Sequence, residues 1–375
     1  MSDEYYSQFE SYPGLSLDSN LLGISHPKFG RTYTLYYWYD PEYGACAKIR
    51  LPIALEFSVS RNNLASNNKC NLKLYNLSKK TRDLMFQDEL DIGVPFDAKK
   101  LAKFGNFYRT DTSDDPTNKQ HSKLKNRIEL WAGYSSTSTE WLIFSGYVLS
   151  SYSYRSGVDW ITEISGYTTN LRDPSSYFCF TANKGMSKAD VINKIGNQLL
   201  GVETTNFDPM YNEQFLEKDE VYMGTAQEIL TEHLGYKPYV DNECLNVLSD
   251  ETILLNKPSI INSKSGLLAS PRRTQNGVKI SMIFEPALRV GNIVALGAER
   301  EVTYNDCQFS VSGFVHKGTI SANKDSSTTT ELELWKGQPG FFRTCESKAV
   351  GTKPLKNVEI YEGGSGGNIR NLSFA

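Results

Sequence analysis

The sequence is short of most residue patterns that carry chemistry. No apolar run approaches the roughly 18 residues that a membrane span requires, so no span is expected. The start, Met1-Ser2-Asp3-Glu4-Tyr5-Tyr6, is acidic and polar, without the basic and then apolar stretch of a secretion signal. Only four histidines occur, His26, His121, His233 and His316, and none stands in a metal-ligand spacing such as HExxH. A nucleophilic Ser or Cys needs a His base and an orienting carboxylate, and no such set is recognisable. The six cysteines, Cys46, Cys70, Cys179, Cys244, Cys307 and Cys345, include no CxxC pair. They are expected as buried free thiols in a chain made in a reducing cytoplasm. Gly363-Gly364-Ser365-Gly366-Gly367 follows no strand and opens no helix, so it reads as a linker and not as a phosphate loop. A basic surplus is also missing: the formal net charge is −3, which disfavours generic nucleic-acid binding. No cofactor, no metal and no catalysis are expected.

What the chain does have is aromatic weight and alternation. Aromatic residues make up 12% of it, with 22 tyrosines, and such side chains favour pleated, half-buried surfaces. After a polar arm at 1–30, Ile53, Leu55, Phe57 and Val59 alternate with polar neighbours, and Cys70, Leu72 and Leu74 repeat the pattern. Ser78 is placed to cap a short helix through Met85. The period then vanishes over 88–126, where Lys99, Lys100, Lys103, Arg109, Lys119, Lys123 and Lys125, with Arg127 just beyond, read as a basic surface insertion. Strands resume at Ile128–Trp131 and Trp141–Phe144. A hairpin turning near Ser156-Gly157 returns through Val158–Ile164. Residues 31–170 thus read as one antiparallel sheet or barrel.

Helical spacing follows at Val191, Ile192, Ile195 and Leu199 behind a capping box opened by Ser187. A second box spans Thr225 to Glu228, and a short strand begins at Cys244. Residues 171–265 read as a small α/β domain. Over 266–350 alternation returns at Val278, Ile280, Met282 and Phe284, at Phe309, Val311, Gly313 and Val315, and at Leu332 and Leu334. A flexible tail is expected over 351–375. Ser145-Gly146-Tyr147-Val148 is echoed by Ser312-Gly313-Phe314-Val315, which points to two related β regions.

Ser265-Gly266-Leu267-Leu268-Ala269-Ser270-Pro271-Arg272-Arg273-Thr274-Gln275-Asn276-Gly277-Val278, running on to Glu285-Pro286-Ala287-Leu288-Arg289-Val290-Gly291-Asn292, resembles a stretch of bacteriophage baseplate hub proteins. Phe309-Ser310-Val311-Ser312-Gly313-Phe314-Val315-His316-Lys317-Gly318 is similar to a later strand of that family. Asn71-Leu72-Lys73-Leu74-Tyr75-Asn76-Leu77-Ser78, Leu130-Trp131-Ala132-Gly133-Tyr134 and Ile143-Phe144-Ser145-Gly146 resemble its earlier β units. The likeness covers roughly 50–345. Asn292 departs from it, standing where the family usually has Asp, and the basic insertion looks long.

The resemblance implies a mainly β fold with two tail-tube-like antiparallel β-barrel domains, at 31–170 and 266–350, flanking the small α/β domain. It implies a structural virion protein assembled in the host cytoplasm. Such a hub is a homotrimer that adapts a sixfold tail tube, or its tube-initiator protein, to a threefold central spike. It touches other baseplate subunits and lets genomic DNA pass without sequence-specific binding. Arg272, Arg273, Lys99, Lys100, Lys123 and Phe374 are the candidate contacts with other subunits, tube or spike. Two other readings stay open at this point: a receptor- or carbohydrate-binding β protein of the tail tip, and a cell-wall hydrolase.

Overall fold

A computed structural model describes residues 28, 30–40, 45–63, 68–87, 126–136, 139–172, 176–199, 201–233, 238–248, 252–255, 259–275, 277–297, 308–322, 327–335, 343–346, 359–362 and 369–370. The basic insertion falls outside them except for Asn126, as do most of the N-terminal arm and C-terminal tail.

Strands β1 (Arg31–Asp40) and β2 (Ala45–Arg50) form a hairpin, and β3 (Leu55–Asn62) and β4 (Lys69–Tyr75) form another. Alternation decides their faces: Leu55, Phe57, Val59, Cys70, Leu72 and Leu74 are buried, while Glu56, Ser60, Lys69 and Asn71 are exposed. Helix α1 (Lys79–Met85) starts where its cap predicts, with the Ser78 hydroxyl accepting from the Thr81 backbone N–H at 3.2 Å. A meander of β5 (Arg127–Tyr134), β6 (Thr139–Ser156) and β7 (Asp159–Tyr167) completes this region. Its last turn places Gly157 at φ 62°, a conformation that glycine adopts without a Cβ penalty.

The period changes next, as expected. The elements are β8 (Tyr177–Ala182), helix α2 (Lys188–Gln198), β9 (Thr204–Phe207) and β10 (Glu220–Thr225). Ser187 and Asp190 close a capping box on α2, whose buried face carries Val191, Ile192 and Ile195. Thr225 and Glu228 form the second box on α3 (Ala226–Glu228), which widens at once into a π turn over Ile229–His233. A hairpin of β11 (Tyr239–Asp241) and β12 (Cys244–Val247) follows, and β12 runs parallel to β9. These elements enclose their own apolar core around Tyr211, Tyr222, Leu230 and Leu245.

The remaining strands are β13 (Thr252–Leu255), β14 (Ser259–Asn262), β15 (Arg272–Arg273), β16 (Gly277–Ile283) and β17 (Ile293–Gly297). After them come β18 (Gln308–Ile320), β19 (Thr328–Trp335), β20 (Arg343–Glu346), β21 (Glu359–Glu362) and β22 (Ile369–Arg370). The fold is therefore mainly β, but three expectations need correction. Among the described residues neither β region closes into a barrel. One 15-stranded sheet runs β15-β16-β19-β18-β3-β4-β7-β6-β5-β1-β2-β21-β22, with β17 and β14 branching from β18. The edge of β3 that would close the first region onto β2 is occupied by β18, from Gly313 opposite Asn62 to Ile320 opposite Leu55. The second region keeps its own core around Ile280, Phe309 and Leu332, but Phe284 and Ile320 pack among the first region's buried residues. Pairing is also not purely antiparallel, because β14 with β17 and β13 with β20 run parallel. And the tail is not wholly a linker: β21 adds in parallel to β2.

The doubling read from the sequence is present in the hydrogen-bond register rather than in the echo itself. The runs β3-β4-β7-β6-β5 and β15-β16-β19-β18-β17 share one order, and all their pairings are antiparallel. Each long middle strand bulges against its following strand at a matching place, between Val148 and Ser150 in β6 and between Val311 and Gly313 in β18, and β6 bulges again at Ile143 against β5. Beside the bulge, the Val148 N–H donates to the Asn126 carbonyl at 2.7 Å and the Val311 N–H to the Asn292 carbonyl at 2.8 Å. Val148 thus matches Val311, whereas the echo would match it with Val315; the repeated tetrapeptide lies on the right strands but on the wrong rungs.

Following the rungs outward matches Ser153 with His316, Tyr154 with Lys317, Thr162 with Thr330 and Glu163 with Glu331. Contacts repeat at those positions. Ser153 meets Thr162 at 2.9 Å and His316 meets Thr330 at 2.8 Å. The Tyr154 hydroxyl donates to Glu163 at 2.9 Å, and Lys317 pairs with Glu331.

Candidate assembly site

The two β regions and the α/β elements meet at one buried polar node. Arg61, at the end of β3, is almost wholly buried and reaches three elements. Its Nε donates to Asp241 Oδ1 at 2.6 Å, its Nη2 bonds the second Asp241 oxygen, and its Nη1 donates to the Ile143 carbonyl at 3.1 Å. The guanidinium also lies over the Phe314 ring of β18, 5.1 Å from the centroid. Asn68 adds a 3.0 Å bond from its Nδ2 to the Val240 carbonyl. A buried charge costs much unless it is paired and hydrogen-bonded, and this one is paired with Asp241 and bonded through each of its three nitrogens.

The tip of the β11–β12 hairpin enters the same node. Asn242 and Glu243 both take positive φ, 45° and 62°, as a two-residue primed turn demands. Asn242 Oδ1 accepts from the Ser145 N–H at 3.1 Å, and its Nδ2 donates to the Leu142 carbonyl at 3.2 Å. The Glu243 carboxylate accepts from Arg127 at 2.6 Å and from the Ser145 hydroxyl at 2.7 Å. Arg127 serves a second buried carboxylate, Glu129, at 3.0 Å. One guanidinium between two buried acids cannot offset both desolvation costs. Burial pushes Glu243 up to about 7 and raises Glu129 as well, against the pull of Arg127.

His316 sits at the β3–β18 seam, fully buried, with its ring edge-on to Phe284 at 5.2 Å and tilted over Phe314 at 4.5 Å. Burial, helped by the Arg61 charge, pulls its pKa down to about 3, so it is neutral there. Tyr134 closes the seam from the first region by donating to the Phe284 carbonyl at 2.7 Å.

Of the residues singled out from sequence, Arg272 and Arg273 are exposed on the edge strand β15. Lys99, Lys100, Lys123 and Phe374 lie outside the described residues. Arg127, grouped with the basic insertion, instead begins β5 and belongs to the node. Cys46, Cys70 and Cys244 are buried free thiols as expected, and burial pushes Cys244 up to about 11. Cys179 is not buried: alternation on β8 turns it outward beside exposed Tyr177, with Val221 and Met223 exposed on the paired strand β10. Arg61, Asn68 and the Asp241–Glu243 turn were not legible as a site. Asp241-Asn242 between short apolar runs signals a turn, but not what the turn inserts into.

The chain is mainly β with a repeated sheet unit, and no cluster of potential metal ligands occurs among its described residues. The family described as baseplate hub gp41 matches residues 42–313, and the chain belongs to that family of phage tail baseplate proteins. Among solved structures, the tail protein from Neisseria meningitidis MC58 is similar over 84% of this chain and 98% of its own, at 11% identity and a TM-score of 0.49. The 43 kDa tail protein of prophage MuSo2 from Shewanella oneidensis is similar over 82% and 97%, at 8% identity and a TM-score of 0.47. The E. coli c3393 protein is similar over 78% of each chain, at 8% identity and a TM-score of 0.45. It is described as a type VI secretion component resembling T4 tail proteins gp27 and gp5. No curated protein matches. No helix among the described residues is long and apolar enough to cross a membrane.

Proposed function

We propose that the chain acts as a homotrimeric baseplate hub, joining a sixfold tail tube to a threefold spike and lining part of the channel through which DNA leaves. The observation that carries this reading is the internal repeat. A subunit holding two copies of one sheet unit lets a threefold ring present a near-sixfold face. In this reading 31–170 and 266–350 are the tube-like units and 171–265 is the intervening α/β domain. The role is structural rather than enzymatic, and Arg272, Arg273, Lys99, Lys100, Lys123 and Phe374 are the contacts with other subunits, tube or spike in this reading. The carbohydrate-binding alternative has less support. The exposed tyrosines Tyr152 and Tyr154 are tethered through their hydroxyls to Glu163, and Arg82 covers one face of Trp160 at 3.8 Å. Mass measurement with negative-stain imaging of the purified chain tests the hub. Threefold rings with a central opening are expected; a monomer that binds neither tube nor spike subunits overturns the reading.

A further inference from the structure

The internal repeat contains a joint whose counterpart is not made among the described residues. Within the chain, β3 adds antiparallel to the part of β18 that extends beyond β17. The matching part of β6, beyond the reach of β5, is 150–156. On the β5 side, Gln87 meets that edge behind helix α1, exchanging backbone bonds with Ser151 at 2.8 and 2.7 Å. Strand alternation points the backbone groups of Ser153 and Arg155 to the same side, where no described residue pairs with them.

The counterpart of β3 is β15. It is lengthened by the Leu267–Met282 bridge and by bonds from the Leu268 N–H to the Ser281 carbonyl at 2.9 Å and from the Ile283 N–H to the Gly266 carbonyl at 2.8 Å. Across Ala269–Pro271 the register against β16 slips by two residues. The regular edge is therefore Arg272–Arg273, with the Thr274 N–H bonded to the Gly277 carbonyl, and among the described residues no strand pairs with its outer side. Unpaired strand edges left open are aggregation hazards.

We propose that residues 272–274 of one copy add antiparallel to residues 152–154 of a second copy, repeating the centre of the β3–β18 joint between subunits. The contact presupposes the trimeric hub and specifies how its subunits touch. The register follows from the repeat. Asn71 matches Lys279 and Cys70 matches Val278, so Ser58 matches Arg272 and Val59 matches Arg273. Within the chain Ser58 faces Lys317 and Val59 faces His316. Between copies, Arg272 then faces Tyr154 and Arg273 faces Ser153.

The chemistry agrees with that register. Arg272 and Arg273 are exposed, and Tyr154, the residue opposite Arg272, stands with exposed Tyr152 around the Glu163 carboxylate on one face. A guanidinium laid there gains both an aromatic face and an anion. Exposed Leu268 near one edge and exposed Phe86 near the other are apolar groups that the contact would cover. A head-to-tail contact of this kind closes into a ring when its rotation allows.

The test uses the full-length chain with Cys179→Ser to remove the exposed thiol. Arg272→Cys and Tyr154→Cys are made singly, co-expressed as two single variants, and combined in one chain. Mild oxidation followed by a non-reducing gel should show a cross-linked dimer from the co-expressed pair, covalent trimers from the double variant and neither from a single variant alone. A trimer by mass that fails to cross-link overturns this strand joint and leaves the hub reading standing. A monomer overturns both.

Discussion

The matched stretches of β18 and β6 have the same register and bulge but opposite fates. On β18 the stretch is covered by β3, and the rung opposite Thr330 holds His316, fully buried and neutral among aromatic rings. On β6 the matching rung holds half-buried Ser153 opposite Thr162, beside exposed tyrosines. Covering a strand edge removes water from its side chains, so the covered rung holds an aromatic ring kept neutral, with its Nδ1 bonded to Thr330, while the open one keeps small hydroxyls. The sheet unit is the same; what differs is whether a strand among the described residues covers the edge.

The largest way to break this contrast is at the node that holds the covered joint. Arg61→Ala strands the Asp241 carboxylate in a buried site, and chemical denaturation should show a loss of about 3–5 kcal/mol. Tyr154→Ala, on the open stretch, should leave the stability of the isolated chain nearly unchanged.

A second test uses Glu243. Its folded-state pKa, about 7, lies above the ordinary 4.5, so the folded state takes up the proton first and its burial penalty is relieved as pH falls. Relative to Glu243→Gln, the wild type should therefore gain about 2.5 kcal/mol between pH 8 and pH 5, seen in denaturation midpoints across pH.

His316 should show the opposite sign. Its folded-state pKa is held near 3, below the ordinary 6.5, so the unfolded chain takes up the proton first and stability is lost as pH falls below 6.5. Against His316→Phe the wild type should lose about 2 kcal/mol at pH 5. The smallest expected effect is Lys279→Ala, which removes an exposed pair with Glu333 and should cost under about 1 kcal/mol.

Local features were legible in the sequence because their causes are local. The alternation of Leu55, Phe57 and Val59 fixed the buried face of β3, and Ser78, Ser187 and Thr225 marked the helix starts. Long-range choices were not. Nothing in the period of β3 says that β18 will take its edge, and Arg61 finds Asp241 across 180 residues of chain. Arg127 looked like one more cation at the end of a basic run, although its partners Glu129 and Glu243 make it part of the core. The tetrapeptide echo pointed correctly to a doubling, yet only the bulges and rungs gave its register.

The most direct test of the repeated-unit account is imaging of purified rings of the full-length chain at a resolution that separates subunits. The account predicts a threefold ring whose density alternates between two similar lobes per subunit, giving a near-sixfold modulation. A monomer, or a ring whose subunits show a single unpaired lobe, would contradict it.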